Sequence, residues 1–122
     1  MKNGKAKVVI GAPEKLLLGD MVAIKSALEA EGAIVAASRA DIFFHFEQFE
    51  SGCRGGTHLV LVVDDEEFPQ ERKMLAAAKV ARVERIALIC LGTCAALKRH
   101  EKLIEQRRVS LLVRRSFRDS LG

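Results

Sequence analysis

The chain is poor in aromatic residues and in proline. Its 122 residues include no tryptophan, no tyrosine and only 2 prolines. No apolar run approaches the roughly 18–20 residues that a membrane-spanning helix requires. The first apolar run, "VVIGA", is interrupted by Pro13, Glu14 and Lys15 before the core of a secretion signal could form. We therefore expect a cytoplasmic protein.

Cysteine is also scarce, which limits the redox and metal chemistry that the chain could use. Cys53, Cys90 and Cys94 are an odd number of cysteines without CxxC spacing, and no histidine stands at metal-ligand spacing from them. Reduced thiols fit this pattern better than a disulfide framework or a zinc site.

The phosphate-binding loops of nucleotide-binding folds are missing too. The segment after the first apolar run, "GAPEKLLLGD", contains neither GxGxxG nor GxxxxGK[ST]. We expect this segment to be a long surface connection.

What the chain does contain is a five-fold alternation of short apolar runs with longer amphipathic stretches. With 49% hydrophobic and 30% charged residues, it has the composition of one globular domain, residues 1–122. The apolar runs are 7–12, 33–38, 58–64, 85–92 and 109–115. Near-continuous apolar runs of this length are typical of strands buried on both faces. The pattern predicts an α/β fold, a doubly wound five-stranded parallel sheet of the flavodoxin-like (βα)5 type in three α/β/α layers, with 7–11, 59–63 and 86–91 among its central strands.

Helix starts follow from capping residues. Asp20 and Asp41 are predicted to cap the first two helices, Pro69 lies near the start of the third, Thr93 caps the fourth, and a short last helix begins at Ser116.

Ligands of such sheets gather beyond the carboxyl ends of the strands. There the run "VLVVDDEEFP" leads straight into four carboxylates, Asp64 to Glu67. Four like charges repel one another, so they must spread into water or share a positive partner. Carboxylates at this position are suited to bind Mg²⁺ or to accept a phosphoryl group, but for this stretch alone a solvated turn at the start of the next helix is the simpler interpretation.

The later strand ends add a hydroxyl in "CLGTC" and guanidinium groups in "RRSF". With these motifs the chain resembles a response-regulator receiver domain of two-component signal transduction over nearly its whole length. In that resemblance Asp65, four residues before Pro69, stands at the phosphoacceptor position. Thr93, or alternatively Cys90, falls at the position of the phosphate-binding hydroxyl, and Arg115 at that of the conserved lysine.

The resemblance also marks what this chain has lost. Receivers carry two acids directly after the first strand, which hold Mg²⁺ together with the acceptor Asp. Gly11 and Ala12 stand there, and Glu14 is the only carboxylate nearby. Because arginine is wider than lysine, Arg115 is not a conservative replacement. We therefore expect a pseudo-receiver that is not an enzyme, has no cofactor, and holds at most a weak cation at Asp64, Asp65 and Glu14.

Positive charge is concentrated at the end of the chain. Residues 97–122 hold 8 Lys and Arg against 3 Asp and Glu, whereas residues 1–96 hold 12 against 13. A basic helical face there would suit an acidic protein partner or a homodimer, although a solubilising face explains it as well. Nucleic acid is not expected, because base-stacking aromatic residues are lacking. The predicted partner surface comprises Lys98, Arg99, Lys102, Arg107, Arg108 and Arg118.

The function expected from the sequence is thus a non-catalytic, receiver-like signalling or protein-interaction module. Two alternatives stay open: a working phosphoacceptor receiver that uses Asp65, and a small α/β enzyme or nucleotide-binding protein. His45 and His100 are interpreted as surface residues, and Phe44 as a second candidate for partner contact.

Overall fold

Strands and helices alternate along the chain. The computed structural model describes residues 6–40, 45–92 and 95–102, and the backbone of 109–113. The strands are β1 (Lys7–Pro13), β2 (Ile34–Ala40), β3 (His58–Val63), β4 (Arg85–Cys90) and β5 (Val109–Val113). The helices are α1 (Leu18–Ala30), α2 (Phe46–Arg54), α3 (Glu71–Val80) and α4 (Ala95–Arg99). Within these described ranges, no helix has the length and apolar character needed to cross a bilayer.

All the strand pairs are parallel. β1 pairs with β2 on one side and with β3 on the other, and β4 lies beyond β3. The backbone of β5 pairs with the outer edge of β4, which gives the order β2-β1-β3-β4-β5. The predicted α/β class, with a parallel sheet built from alternating strands and helices, is confirmed.

Each central strand buries both of its faces. In β1, Val8 and Ile10 belong to the hydrophobic cluster that α1 covers, through Met21 and Ile24. Val9 belongs to the opposite cluster, which α2 and α3 cover with side chains that include Phe49, Cys53, Met74 and Leu75. Neighbouring residues of a strand point to opposite faces, so a near-continuous apolar run is required when both faces carry helices.

The first connection is shorter than predicted. β1 extends through Pro13 and α1 begins at Leu18, so only residues 14–17 join them. Asp20 was predicted to cap α1, but it lies in the first turn of the helix instead. Leu17 precedes the helix and makes no side-chain cap. The predicted helix starts at Asp41 and Ser116 lie outside the described residues.

Two helices end in the same hydrogen-bonded motif but use different residues. At the end of α1, the N–H groups of Gly32 and Ala33 donate to the carbonyls of Glu29 and Leu28, and Gly32 has a φ of 95°. At the end of α3, Arg82 and Val83 donate in the same way to Lys79 and Ala78, but the residue with positive φ, 58°, is Arg82. A left-handed conformation costs little for glycine and more for a residue with a Cβ.

We expect Arg82→Gly to raise the free energy of unfolding by about 1 kcal/mol, because it relieves this backbone strain. Chemical denaturation measures the change. The matched control is Gly32→Ala, which introduces the same strain at the end of α1 and should lower stability by a similar amount. An Arg82→Gly variant less stable than the parent protein would contradict the interpretation.

Candidate functional site

The four carboxylates after β3 are partly neutralised by the protein's own cations. Nζ of Lys15, in the connection after β1, lies 3.3 Å from Oδ2 of Asp64. Nε of Arg72, in the first turns of α3, lies 2.6 Å from Oε2 of Glu67. Glu66 is exposed to solvent. The repulsion among the four carboxylates is therefore reduced in the two ways expected from the sequence. Some of them have positive partners, and another is exposed to water.

The Asp65 carboxylate faces the loop after β4. Its Oδ1 accepts a hydrogen bond from the backbone N–H of Ala95 at 3.4 Å. Gly92 has a φ of 79°, and a Cβ at that position would lie 2.7 Å from Oδ2 of Asp65. Gly92 is thus required both by its backbone conformation and by the close approach of this carboxylate.

Arg99 of α4 connects α3 to the backbone of the acidic segment, which comprises residues 64–67. Its guanidinium donates to the carbonyl oxygens of Asp64 at 2.8 Å and Asp65 at 3.0 Å. It also donates to both carboxylate oxygens of Glu71, from Nε at 2.8 Å and from Nη2 at 3.2 Å. The side chain is only 14% exposed. The prediction that Arg99 lies on an exposed partner surface is therefore wrong.

Glu71 is the buried acid at the centre of this arrangement. It is 0% exposed, and Nε2 of His100 lies 2.6 Å from its Oε2. Burial by itself would raise the pKa of Glu71, but hydrogen bonds from His100 and Arg99, and their charges, outweigh it and hold the pKa below its usual range. His100 is 7% exposed, so its interpretation as a surface residue is also wrong.

Sequence reasoning missed Glu71, although a signal for it exists. Glu71 stands three and four positions before Met74 and Leu75, which form part of an apolar stripe in the sequence of α3. A charged residue in register with such a stripe is placed on the buried face of the helix. The sequence contains no comparable signal for the partners of Glu71, which are Arg99 and His100.

A pocket of about 570 Å³ lies between the ends of β1 and β3. Glu14 and Lys15 line it from the first connection, and Asp64, Glu66 and Glu67 line it from the segment after β3. Ala40, Phe68 and Pro13 add apolar surface. This is the point at which the chain switches direction across the sheet, where ligands of open α/β sheets bind.

The structure does not assemble the predicted cation site. Across residues 6–40, 45–92 and 95–102, no three His, Cys, Asp or Glu side chains converge as metal ligands. Glu14, Asp64 and Asp65 are all within these ranges, so they do not form a three-ligand set. Mg²⁺ prefers several oxygen ligands in octahedral geometry.

The other predicted site residues divide into exposed and undescribed ones. Lys98 and Lys102 are exposed, as is His45. The remaining predicted residues lie outside the described part of the chain: Phe44, Thr93, Arg107, Arg108, Arg115 and Arg118.

The described cysteines, Cys53 and Cys90, are both buried. Burial, together with the nearby Glu50, raises the pKa of Cys53 to about 11. The thiol therefore stays protonated at neutral pH and is a poor nucleophile.

A scan of protein-family models, a search of curated proteins and a search of solved structures each returned no match for this chain.

We expect Arg99→Glu to lower the free energy of unfolding by about 3–5 kcal/mol, because it leaves the buried Glu71 carboxylate facing another negative charge. Urea denaturation followed by circular dichroism measures the loss. Lys98→Glu is the matched control, since it makes the same charge change at an exposed neighbour and should cost no more than about 0.5 kcal/mol. Equal effects of the two substitutions would contradict the role assigned to Arg99.

Glu71→Gln is expected to destabilise the protein in a pH-dependent way. Because the folded state lowers the pKa of Glu71, the ionised group stabilises the protein above about pH 4.3, the ordinary value for glutamate, and this contribution is lost as the pH falls through the lower folded value. The difference in unfolding free energy between parent and variant should thus shrink as the pH falls from about 5 to 3. Denaturation curves across this range would test it, and a difference independent of pH would contradict it.

Proposed function

We propose that the protein is a pseudo-receiver: a doubly wound, five-stranded, flavodoxin-like domain in three layers that acts as a non-catalytic, cytoplasmic protein-interaction module in signal transduction. The order β2-β1-β3-β4-β5 supports this proposal, since it is the strand order of flavodoxin-like folds. The position of Asp65, directly beyond β3 and beside the loop after β4, fits the same interpretation.

The observation that carries the proposal is the chemistry at the end of β1. The receiver resemblance would place acids at Gly11 and Ala12, but both positions are inside β1 and buried. A Cβ at Gly11 would lie 2.7 Å from Sδ of Met74 and 3.2 Å from Cδ1 of Leu61. A carboxylate at that position would be forced against the apolar core, where desolvation of a charge is costly. The nearest charged side chain that reaches Asp64 is instead the cationic Lys15.

Two observations keep other functions open to test. Asp65 occupies the strand end that a phosphoacceptor requires, which favours a working receiver. The pocket between β1 and β3 has the volume of a small-molecule site, which favours an enzyme or a nucleotide-binding protein.

The experiment is a titration of ¹⁵N-labelled protein with Mg²⁺ and then with beryllofluoride, a mimic of the acyl phosphate. We expect no saturable shifts at Asp65 or Gly92, because too few oxygen ligands surround the metal position. Tight Mg²⁺ binding followed by beryllofluoride binding, both lost in Asp65→Asn, would establish the phosphoacceptor instead.

Two further measurements sharpen the result. Lys15→Ala removes the cation beside Asp64 without adding a metal ligand, so this variant should also fail to bind beryllofluoride. If it does bind, Lys15 rather than the missing acids prevents binding in the parent protein. A nucleotide released on denaturing the purified protein would support the third function.

A further inference from the structure

A groove of about 490 Å³ runs between α3 and the α4 segment, and it shares no lining residue with the pocket at the strand ends. From α3 it is lined by Arg72, Leu75 and Lys79, and from the other side by Lys98 and Lys102. These lysines are exposed, whereas Leu75 is 7% exposed and forms an apolar base. Two of the lining residues, Arg72 and Lys79, were not part of the partner surface expected from the sequence.

The positive charge of this groove is mostly uncompensated. Arg72 is paired with Glu67, and Arg99 is committed to Glu71. Among the described residues that line the groove, Lys79, Lys98 and Lys102 remain, and Glu101 is the acid beside them. The groove thus presents an excess of ammonium groups around an apolar base.

We infer that this groove, hereafter the α3–α4 groove, binds a short extended acidic segment of a partner protein. The inference rests on the proposed interaction function and locates its surface. Leu75 and Lys79 are four residues apart on one face of α3, a distance of about 6 Å. That length matches about two residues of extended chain, so an apolar side chain can sit over Leu75 while a carboxylate two residues away reaches Lys79.

A second copy of this chain is a poorer occupant, although it too carries an acidic segment. Asp64 and Glu67 of that segment already have cationic partners, and the Asp65 carboxylate faces the loop after β4. Among the described residues, Glu66 is the one carboxylate of that segment that is exposed and has no cationic partner. Docking of one copy's acidic segment into another copy's groove would also be a head-to-tail contact, which generates open chains of molecules rather than a closed dimer.

The test uses the full chain and a short fluorescein-labelled peptide of repeating Glu-Ser-Val-Ser units, whose glutamates and valines share one face when the peptide is extended. Fluorescence anisotropy measures its binding. The parent protein should bind this peptide, and binding should weaken as added salt screens charges over about 8–10 Å. A variant with both Lys79→Glu and Lys98→Glu should lose at least about tenfold in affinity, since two attractions become repulsions.

The matched control carries Lys7→Glu, at the amino end of β1, and Lys25→Glu, on α1, the helix that covers the opposite face of the sheet from α3. It has the same net charge as the groove variant but should bind within about twofold of the parent, because neither position lines the groove. Thermal melts of both variants confirm that neither is unfolded, as surface substitutions usually cost no more than about 0.5 kcal/mol.

Each other outcome overturns the inference. An equal loss in groove and control variants would mean attraction by net charge alone. An oligothymidine that binds more tightly than the peptide would assign the groove to nucleic acid, and self-association abolished by the groove variant would assign it to a second copy. If the protein binds neither the peptide nor beryllofluoride, the groove is rejected as the binding surface and the pseudo-receiver proposal stands. If the protein binds beryllofluoride, the pseudo-receiver proposal is rejected, whether or not the peptide binds.

Discussion

The buried ion pair between Arg99 and Glu71 is the interaction on which the arrangement of the strand ends depends. A carboxylate that is 0% exposed loses its hydration entirely, a cost of several kcal/mol unless partners replace the water. Arg99 and His100 supply those partners. Because the guanidinium has five donors in one plane, it also satisfies the carbonyls of Asp64 and Asp65, which the single ammonium of a lysine could not do in the same geometry. One side chain therefore fixes α4 against α3 and against the segment after β3.

The same contact explains how a helix as short as α4 is held. Five residues are too few for a helix to be stable by itself. Ala96 buries its side chain in the cluster shared with α3, and Arg99 and His100 anchor the end of the helix. Since Arg99 is neutralised by Glu71, it contributes little to the potential of the surface. The positive character of the α3–α4 groove comes from the lysines around it.

The sequence predicted the strands well, because burial on both faces leaves an unambiguous apolar run. β1, β3 and β4 were predicted within a few residues. The partners of charged residues were harder to predict, since an ion pair between residues 28 positions apart depends on how α4 packs against α3. Arg99 and Lys98 look alike in sequence, yet one is largely buried and the other exposed. Glu71 could have been found from its register with Met74 and Leu75, whereas the pairing of Lys15 with Asp64 has only a weak signal, namely that both follow neighbouring strands.

Two features of the strand ends affect metal binding, and the free energies involved differ in size. The Lys15 and Asp64 side chains are 60% and 20% exposed, and ion pairs of this kind contribute about 0–1 kcal/mol. Such a pair alone would not keep a strongly bound divalent ion from Asp64. Replacing Gly11 by an acid would instead bring its Cβ to 2.7 Å from Met74 and place a charge against apolar side chains, which costs several kcal/mol. The packing of β1 against α3, more than the position of one lysine, therefore sets the number of oxygen ligands that this end of the sheet can offer.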